Sequence, residues 1–246
     1  MKIASYVMTG KNKIECEDTA IFNRIVINNR VMCMDDDAFF CVGVADGVGG
    51  NAGGRIASRY VAHQICQTDF LSMTQQDIYA FITEINTNLI THAASIPDKS
   101  EMATTLTCVV AAKDGHYLIH AGNTRLYVMQ GAYLKQLTVD HTTYDWLVEC
   151  GQYEAAKTCR KSEINCCIGG GSQKYIKRLV VEKIFDDFFP NTLLLTSDGI
   201  HDFVTIDCME DTLSSSNSDF DAIRIIAELA RKNGSTDDTT IIILRK

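Results

Sequence analysis

The chain has 246 residues, 46% of them hydrophobic and 22% charged, proportions that exclude a disordered chain and let a sizeable core form without disulfides. The length suits a single domain over 1–246 better than two. A formal net charge of −8, with no basic run, speaks against nucleic acid as a partner, and no apolar stretch approaches the ~20 residues that span a bilayer.

In chain order, the first apolar runs of strand length fall at 19–27 and 38–45. A glycine-rich segment follows and opens an expected helix from Gly54 to about Phe70. The next helix is expected after a Thr74 N-cap, with Ile78, Phe81, Ile82, Ile85 and Leu89 on one face. Strands are then expected at 106–112, 116–121 and 125–129, with a further strand at 133–137. Connections in this stretch are too short for parallel crossovers, so it is antiparallel. The segment 142–165 is more polar and is expected to form a flap, anchored by Trp146 and Leu147. Runs at 177–184, 192–196 and 239–244 complete the strands. Between the last two, 214–218 is serine-rich and reads as a surface loop. Phe220, Ile223, Ile226, Ala227 and Ala230 form a helical stripe that stops at Gly234, a suitable C′ glycine. Strands in clusters with helices between them indicate an α+β fold rather than a repeating βαβ chain.

Ten cysteines include no CxxC pair, and Cys166 and Cys167 are adjacent, poor geometry for tetrahedral zinc. The N-terminal stretch lacks the apolar core of a signal peptide. Buried thiols in a reducing cytoplasm are the expectation.

Acidic residues stand just outside apolar runs in four places: Glu17-Asp18, Asp46, Asp198 and Asp237. Strand ends that converge on one rim would gather these carboxylates into an oxygen-rich site of the kind hard divalent cations take. Asp46 and Asp198 are each followed by glycine, which leaves room for an ion or its waters to approach the backbone carbonyl. Taken singly, an Asp-Gly pair is more often a turn than a ligand, Glu17-Asp18 reads as a solvated strand start and Asp237-Asp238 as a turn after the helix.

The combination resembles the PP2C (PPM) family of metal-dependent protein phosphatases, in its compact bacterial form. The pieces are Lys13-Ile14-Glu15-Cys16-Glu17-Asp18, Val44-Ala45-Asp46-Gly47-Val48-Gly49-Gly50 and Ala103-Thr104-Thr105. They continue in Ala121-Gly122-Asn123-Thr124-Arg125, Asp140-His141-Thr142, Thr196-Ser197-Asp198-Gly199-Ile200-His201-Asp202 and Gly234-Ser235-Thr236-Asp237-Asp238-Thr239-Thr240. The resemblance implies two antiparallel sheets packed face to face and flanked by helices, with a metal centre at one end. It also implies hydrolysis of phosphoserine and phosphothreonine by a water bridging two Mn²⁺ or Mg²⁺ ions. By motif, Asp46, Gly47, Asp198 and Asp237 would be ligands, the three aspartates forming the catalytic core. Glu17 and Asp18 would hold metal-bound waters, and Asp202 and Asn123 would flank a third ion. A phosphorylated protein, and an opposing serine/threonine kinase, are the implied partners.

Five positions depart from the family pattern. Lys13 stands where many relatives place a phosphate-binding arginine, and keeps the charge without the bidentate fork. Val48 and Asn51 occupy places where relatives carry histidine, and neither protonates a leaving group. Asn123 replaces a metal-binding aspartate, and Asp238 replaces an asparagine. His201 reads as a packing histidine rather than a proton donor. These departures keep a second reading open, a catalytically weak or silent PP2C-like module that binds partners. A metal-dependent phosphodiesterase or nuclease is a third, opposed by the acidic balance.

Overall fold

The structure is a computed structural model that describes residues 1–48, 53–186 and 192–246; Gly49, Gly50 and Asn51 of the glycine-rich motif lie outside these. The chain begins with β1 (Lys2–Met8), a hairpin of β2 (Thr19–Phe22) and β3 (Ile25–Ile27), then β4 (Arg30–Asp35) and β5 (Cys41–Ala45). The run at 19–27 is thus two strands, because Asn23 adopts a positive φ of 50° that turns the chain back on itself. Two long helices follow, α1 (Gly54–Gln67) and α2 (Gln75–Ala94). Thr74 caps α2 as expected, in a reciprocal capping box with Asp77. After β6 (Ala103–Thr104) come two hairpins, β7 (Leu106–Ala112) with β8 (Gly115–Ala121) in one sheet and β9 (Arg125–Gln130) with β10 (Tyr133–Gln136) in the other. The short helices α3 (Thr143–Glu149) and α4 (Tyr153–Ala156) lead to β11 (Ile168–Gly169), β12 (Val180–Phe185) and β13 (Thr192–Thr196). The chain ends in α5 (Asp198–His201), α6 (Ile206–Ser215), α7 (Asp219–Lys232) and β14 (Thr239–Arg245).

Two six-stranded sheets result, ordered β10-β9-β13-β14-β1-β4 and β12-β8-β7-β5-β2-β3, with antiparallel pairings throughout. Alternation along each strand sorts side chains between two faces. In β14, Ile242 and Leu244 enter the layer between the sheets with Phe22, Val44, Leu118 and Leu195. Ile241 and Ile243 face the other way, under Ile223, Ile226 and Ala230 of α7. On the second sheet, Val61 and Ile65 of α1 and Ile78, Ile82 and Leu89 of α2 cover Val110 and Ile119. Helices, sheet, sheet and helices therefore stack as the expected α+β sandwich.

Three local expectations are corrected. Ser214 and Ser215 belong to α6, and Ser218 caps α7 by accepting the Asp221 N–H, since serine suits helix ends as well as loops. Phe220 is 37% exposed, because the apolar stripe of α7 is narrower than the sequence suggests. Trp146 is 44% exposed and Leu147 buried, so Leu147 anchors the 142–165 segment and Trp146 does not. The cysteines are all free; six are buried, but Cys33, Cys150 and Cys208 are exposed. Among the described residues no helix is long and apolar enough to cross a membrane.

Candidate active site

The acidic residues singled out in the sequence stand at one end of the sandwich, each where a strand begins or ends. Asp46 follows β5, and its backbone is clamped by the Ala103-Thr104-Thr105 segment. Its carbonyl accepts from the Thr105 N–H at 2.8 Å and from Thr104 Oγ1 at 2.9 Å, while its N–H donates to Thr105 Oγ1 at 2.9 Å. Asp198 opens α5 directly after β13, and Asn123 Nδ2 donates to its Oδ2 at 3.0 Å. Asp18 precedes β2 and is buried. Its Oδ2 accepts from Ser197 Oγ at 2.8 Å and from Thr240 Oγ1 at 2.7 Å, joining the ends of β2, β13 and β14 at one atom.

The two glycines after Asp46 and Asp198 have a different reason from the one read in the sequence. A Cβ on Gly47 would meet the Gly54 carbonyl carbon at 2.4 Å, and one on Gly199 would meet the Asp238 carbonyl oxygen at 1.9 Å. Both are glycine because backbone packs against backbone there. The contact at Gly199 brings the loop of Asp198 against the loop of Asp237 and Asp238.

Asp238, without an assigned role in the sequence, organises the N-terminal motif. It is buried, and its Oδ1 accepts from the Gly10 N–H at 2.7 Å while Oδ2 accepts from the Glu17 N–H at 2.7 Å and from Lys13 Nζ at 3.3 Å. Asparagine could not accept all three bonds. Lys13 Nζ also pairs with Asp237 and lies 3.6 Å from Glu17. Burial works against its ammonium, but the hydrogen bond and charge of Asp237, joined by Asp238, outweigh this and hold its pKa above the usual range. The ammonium is thus at the rim of the acid cluster, engaged by carboxylates.

Crowded carboxylates shift one another. Burial, followed by the charges of Asp18, Asp198 and Asp237, holds Asp46 well above the usual carboxylate range. Burial and Asp237 push Asp198 up to about 6, with the Asn123 amide opposing. Burial likewise raises Asp18 to about 7, against the Thr240 hydroxyl and with Asp238 adding to the rise. Glu17 is raised by burial and partly restored by Lys13. Asp202, exposed beside this cluster, is raised by desolvation, with Arg125 and the Lys161 ammonium of the 142–165 segment opposing. Such mutual destabilisation of ionised forms is relieved by protons or by cations. Two buried oxygens, Asp18 Oδ1 and Asn123 Oδ1, have no hydrogen-bond donor. Among the described residues no three His, Cys, Asp or Glu side chains already converge as a cage for one ion. Asp237 is turned to Lys13, Asp198 to Asn123 and Asp18 to its hydroxyls.

The protein phosphatase 2C pattern matches residues 27–235, most of the chain. The chain belongs to the protein phosphatase 2C family. Among relatives, the serine/threonine phosphatase stp of Listeria welshimeri is 29% identical over 214 residues, covering 82% of this chain and 83% of that protein. The serine/threonine protein phosphatase PstP of Mycobacterium tuberculosis is 28% identical over 207 residues, or 81% of this chain and 39% of the longer relative. The crystal structure of the phosphatase Stp1 from Staphylococcus aureus superposes with a TM-score of 0.77 at 24% identity, covering 99% of this chain and 94% of that one. This likeness shows that the sandwich is the PP2C fold.

Histidine chemistry is absent where a proton donor would be sought in the loop after Asp198. His201 is buried, its Nδ1 paired with Thr196 Oγ1 at 2.8 Å, and burial drives its pKa well below the usual value. Its packing role agrees with the sequence reading. Val48 has no titratable atom. The 142–165 segment is a surface excursion closed at its base by a Thr142–Ile164 bridge, and Ile164 shares a small cavity with Val48 and Ala103.

Proposed function

We propose that this PP2C-family chain is a divalent-metal-dependent protein serine/threonine phosphatase acting on phosphorylated proteins. The observation that carries this reading is the gathering of acids from distant chain segments: Asp18, Asp198 and Asp237 lie close enough for their charges to act on the buried Asp46. The donor set suits Mn²⁺ or Mg²⁺: it is all oxygen, it crowds negative charge, and it leaves Asp18 Oδ1 and Asn123 Oδ1 without donors. Asp46, Asp198, Asp237 and the Gly47 carbonyl would hold two ions. Glu17 and Asp18 would hold their waters, and Asp202 with Asn123 would border a third position. Bound ions would supply Lewis-acid polarisation of phosphate and a lowered pKa for the attacking water.

The chain's own residues supply the rest. Lys13, at the rim beside Asp237, places a cation where substrate phosphate arrives, as a point charge rather than a fork. Thr104 and Thr105 fix the Asp46 backbone, and Ser197 with Thr240 fix Asp18. The 142–165 flap borders the approach to this end of the sandwich. The deciding assay is hydrolysis of p-nitrophenyl phosphate and a phosphothreonine peptide, with and without Mn²⁺, for the native protein and Asp198→Ala. Expected are turnover that requires the ion and a loss of at least about 10²-fold in the variant. Turnover in EDTA, or none with Mn²⁺, would overturn the reading, and the latter would favour a silent partner-binding module. A serine/threonine kinase of the same cell is the natural opponent of such an enzyme.

A further inference from the structure

A cleft of about 450 Å³ is lined by Lys13 and Glu17, at the acid cluster, by Arg55 and Ile56 of α1, and by Lys99. It is within the size range of ligand-binding clefts. Two of its cations are paired: Lys13 with Glu17 and Asp237, Arg55 with Glu15 at 3.0 Å. Lys99 is different. It is half-buried, its Cδ lies beside Gly53 at the start of α1, and among the described residues it forms no ion pair. In a chain of net charge −8, a lysine held at a cleft wall without a carboxylate is an unfilled half of a charge pair. The same lining carries Ile14, 99% exposed, and Ile56, 36% exposed, two apolar side chains left open to solvent.

We propose that this cleft is a substrate subsite and that Lys99 determines specificity: it receives an acidic side chain flanking the phosphorylated residue, whose aliphatic stem lies over Ile14 and Ile56. The inference rests on the phosphatase reading and extends it to the sequence around the phosphate. Complementary charge at the rim of a cleft selects partners more than it adds affinity. The peptide thus needs phosphate at Lys13 and a carboxylate at Lys99.

The test compares kcat/KM for two phosphothreonine peptides with Mn²⁺ present, one with glutamate on both flanks and one with lysine there. Native protein is expected to favour the glutamate peptide by roughly two- to five-fold, the range of one partly exposed ion pair. Lys99→Glu is expected to abolish or reverse the preference, and rising salt to shrink it. Because each protein is judged on the ratio of two peptides, a lowered folded fraction leaves the result readable. Equal rates for the two peptides on native protein, or a preference untouched by Lys99→Glu, overturns the subsite. Turnover of neither peptide overturns the phosphatase reading itself, and the subsite with it.

Discussion

Asn123 shows how one side chain decides whether an acid cluster tolerates itself. Its Nδ2 donates to Asp198 at 3.0 Å, and that bond is among the influences that lower a carboxyl otherwise raised by burial. Asn123→Asp would replace the donor with a further negative charge. The variant is expected to melt at a lower temperature than native protein in EDTA, because like charges meet in a desolvated place. It is also expected to show a larger upward shift on adding Mn²⁺, since ligand stabilisation grows with affinity, and to reach half-maximal turnover at lower Mn²⁺. Thermal unfolding across a Mn²⁺ titration checks both, and an unchanged metal-induced shift would refute the assignment. The four strand-end acids were legible in the sequence because each adjoins an apolar run. Asp238 was not: its partners Gly10 and Glu17 lie 228 and 221 positions away, and no local pattern announces such a bond. The same holds for the hydroxyls of Ser197 and Thr240 on Asp18.

At the level of elements, the site depends on loops being pressed together more closely than side chains allow. Gly199→Ala places a methyl on the Asp238 carbonyl oxygen, which forces α5 from the start of β14. A cost of about 3 kcal/mol or more is expected from such overpacking, together with weaker Mn²⁺ binding. Denaturant unfolding and calorimetric Mn²⁺ titration measure the two, and a variant as stable as native protein would contradict the close approach. Helices α2 and α7 were legible from their stripes and caps, and the β7–β8 and β9–β10 hairpins from their short connections. The strands β1 and β4 were missed. β4 carries arginine, two methionines, a cysteine and an aspartate, a composition of weak strand preference, and it is held by its pairing with β1. The anchor of the 142–165 segment differs from the expectation because size suggests burial, whereas the seven-residue helix α3 has only one face to bury, and Leu147 occupies it.

Across the whole molecule, buried imidazoles set the response to acid. His120 is bonded at both ring nitrogens, to Thr107 Oγ1 at 2.9 Å and to the Val139 carbonyl at 2.9 Å. His141 accepts the Gly122 N–H at Nδ1, and its ring lies 4.6 Å from that of His120. Burial pushes their pKa values down to about 4 and about 3, below the ~6.5 of an unfolded histidine. Folded pKa values below unfolded ones mean stability that is complete above pH ~6.5 and lost as pH falls toward 4. Asp18 and Asp198 act in the opposite sense, since values of about 7 and about 6 mean that protonation on acidification favours the fold until the unfolded carboxylate value near 3.9. Saturating Mn²⁺ would remove that compensation. The melting temperature is therefore expected to fall more steeply between pH 7 and 4.5 in Mn²⁺ than in EDTA, and parallel curves would refute this. The position of β14 between β13 and β1 has a further consequence, in the order of events. Lys2 lies opposite Arg245, so a chain emerging from the ribosome makes β1 more than 200 residues before its central neighbour. Until then β13 and β1 present open edges, the state most prone to wrong pairing, and Asp18 lacks Thr240. Such long-range closure places folding among the slower single domains. Phosphatase activity, on this topology, switches on only after β14 has been inserted between β13 and β1.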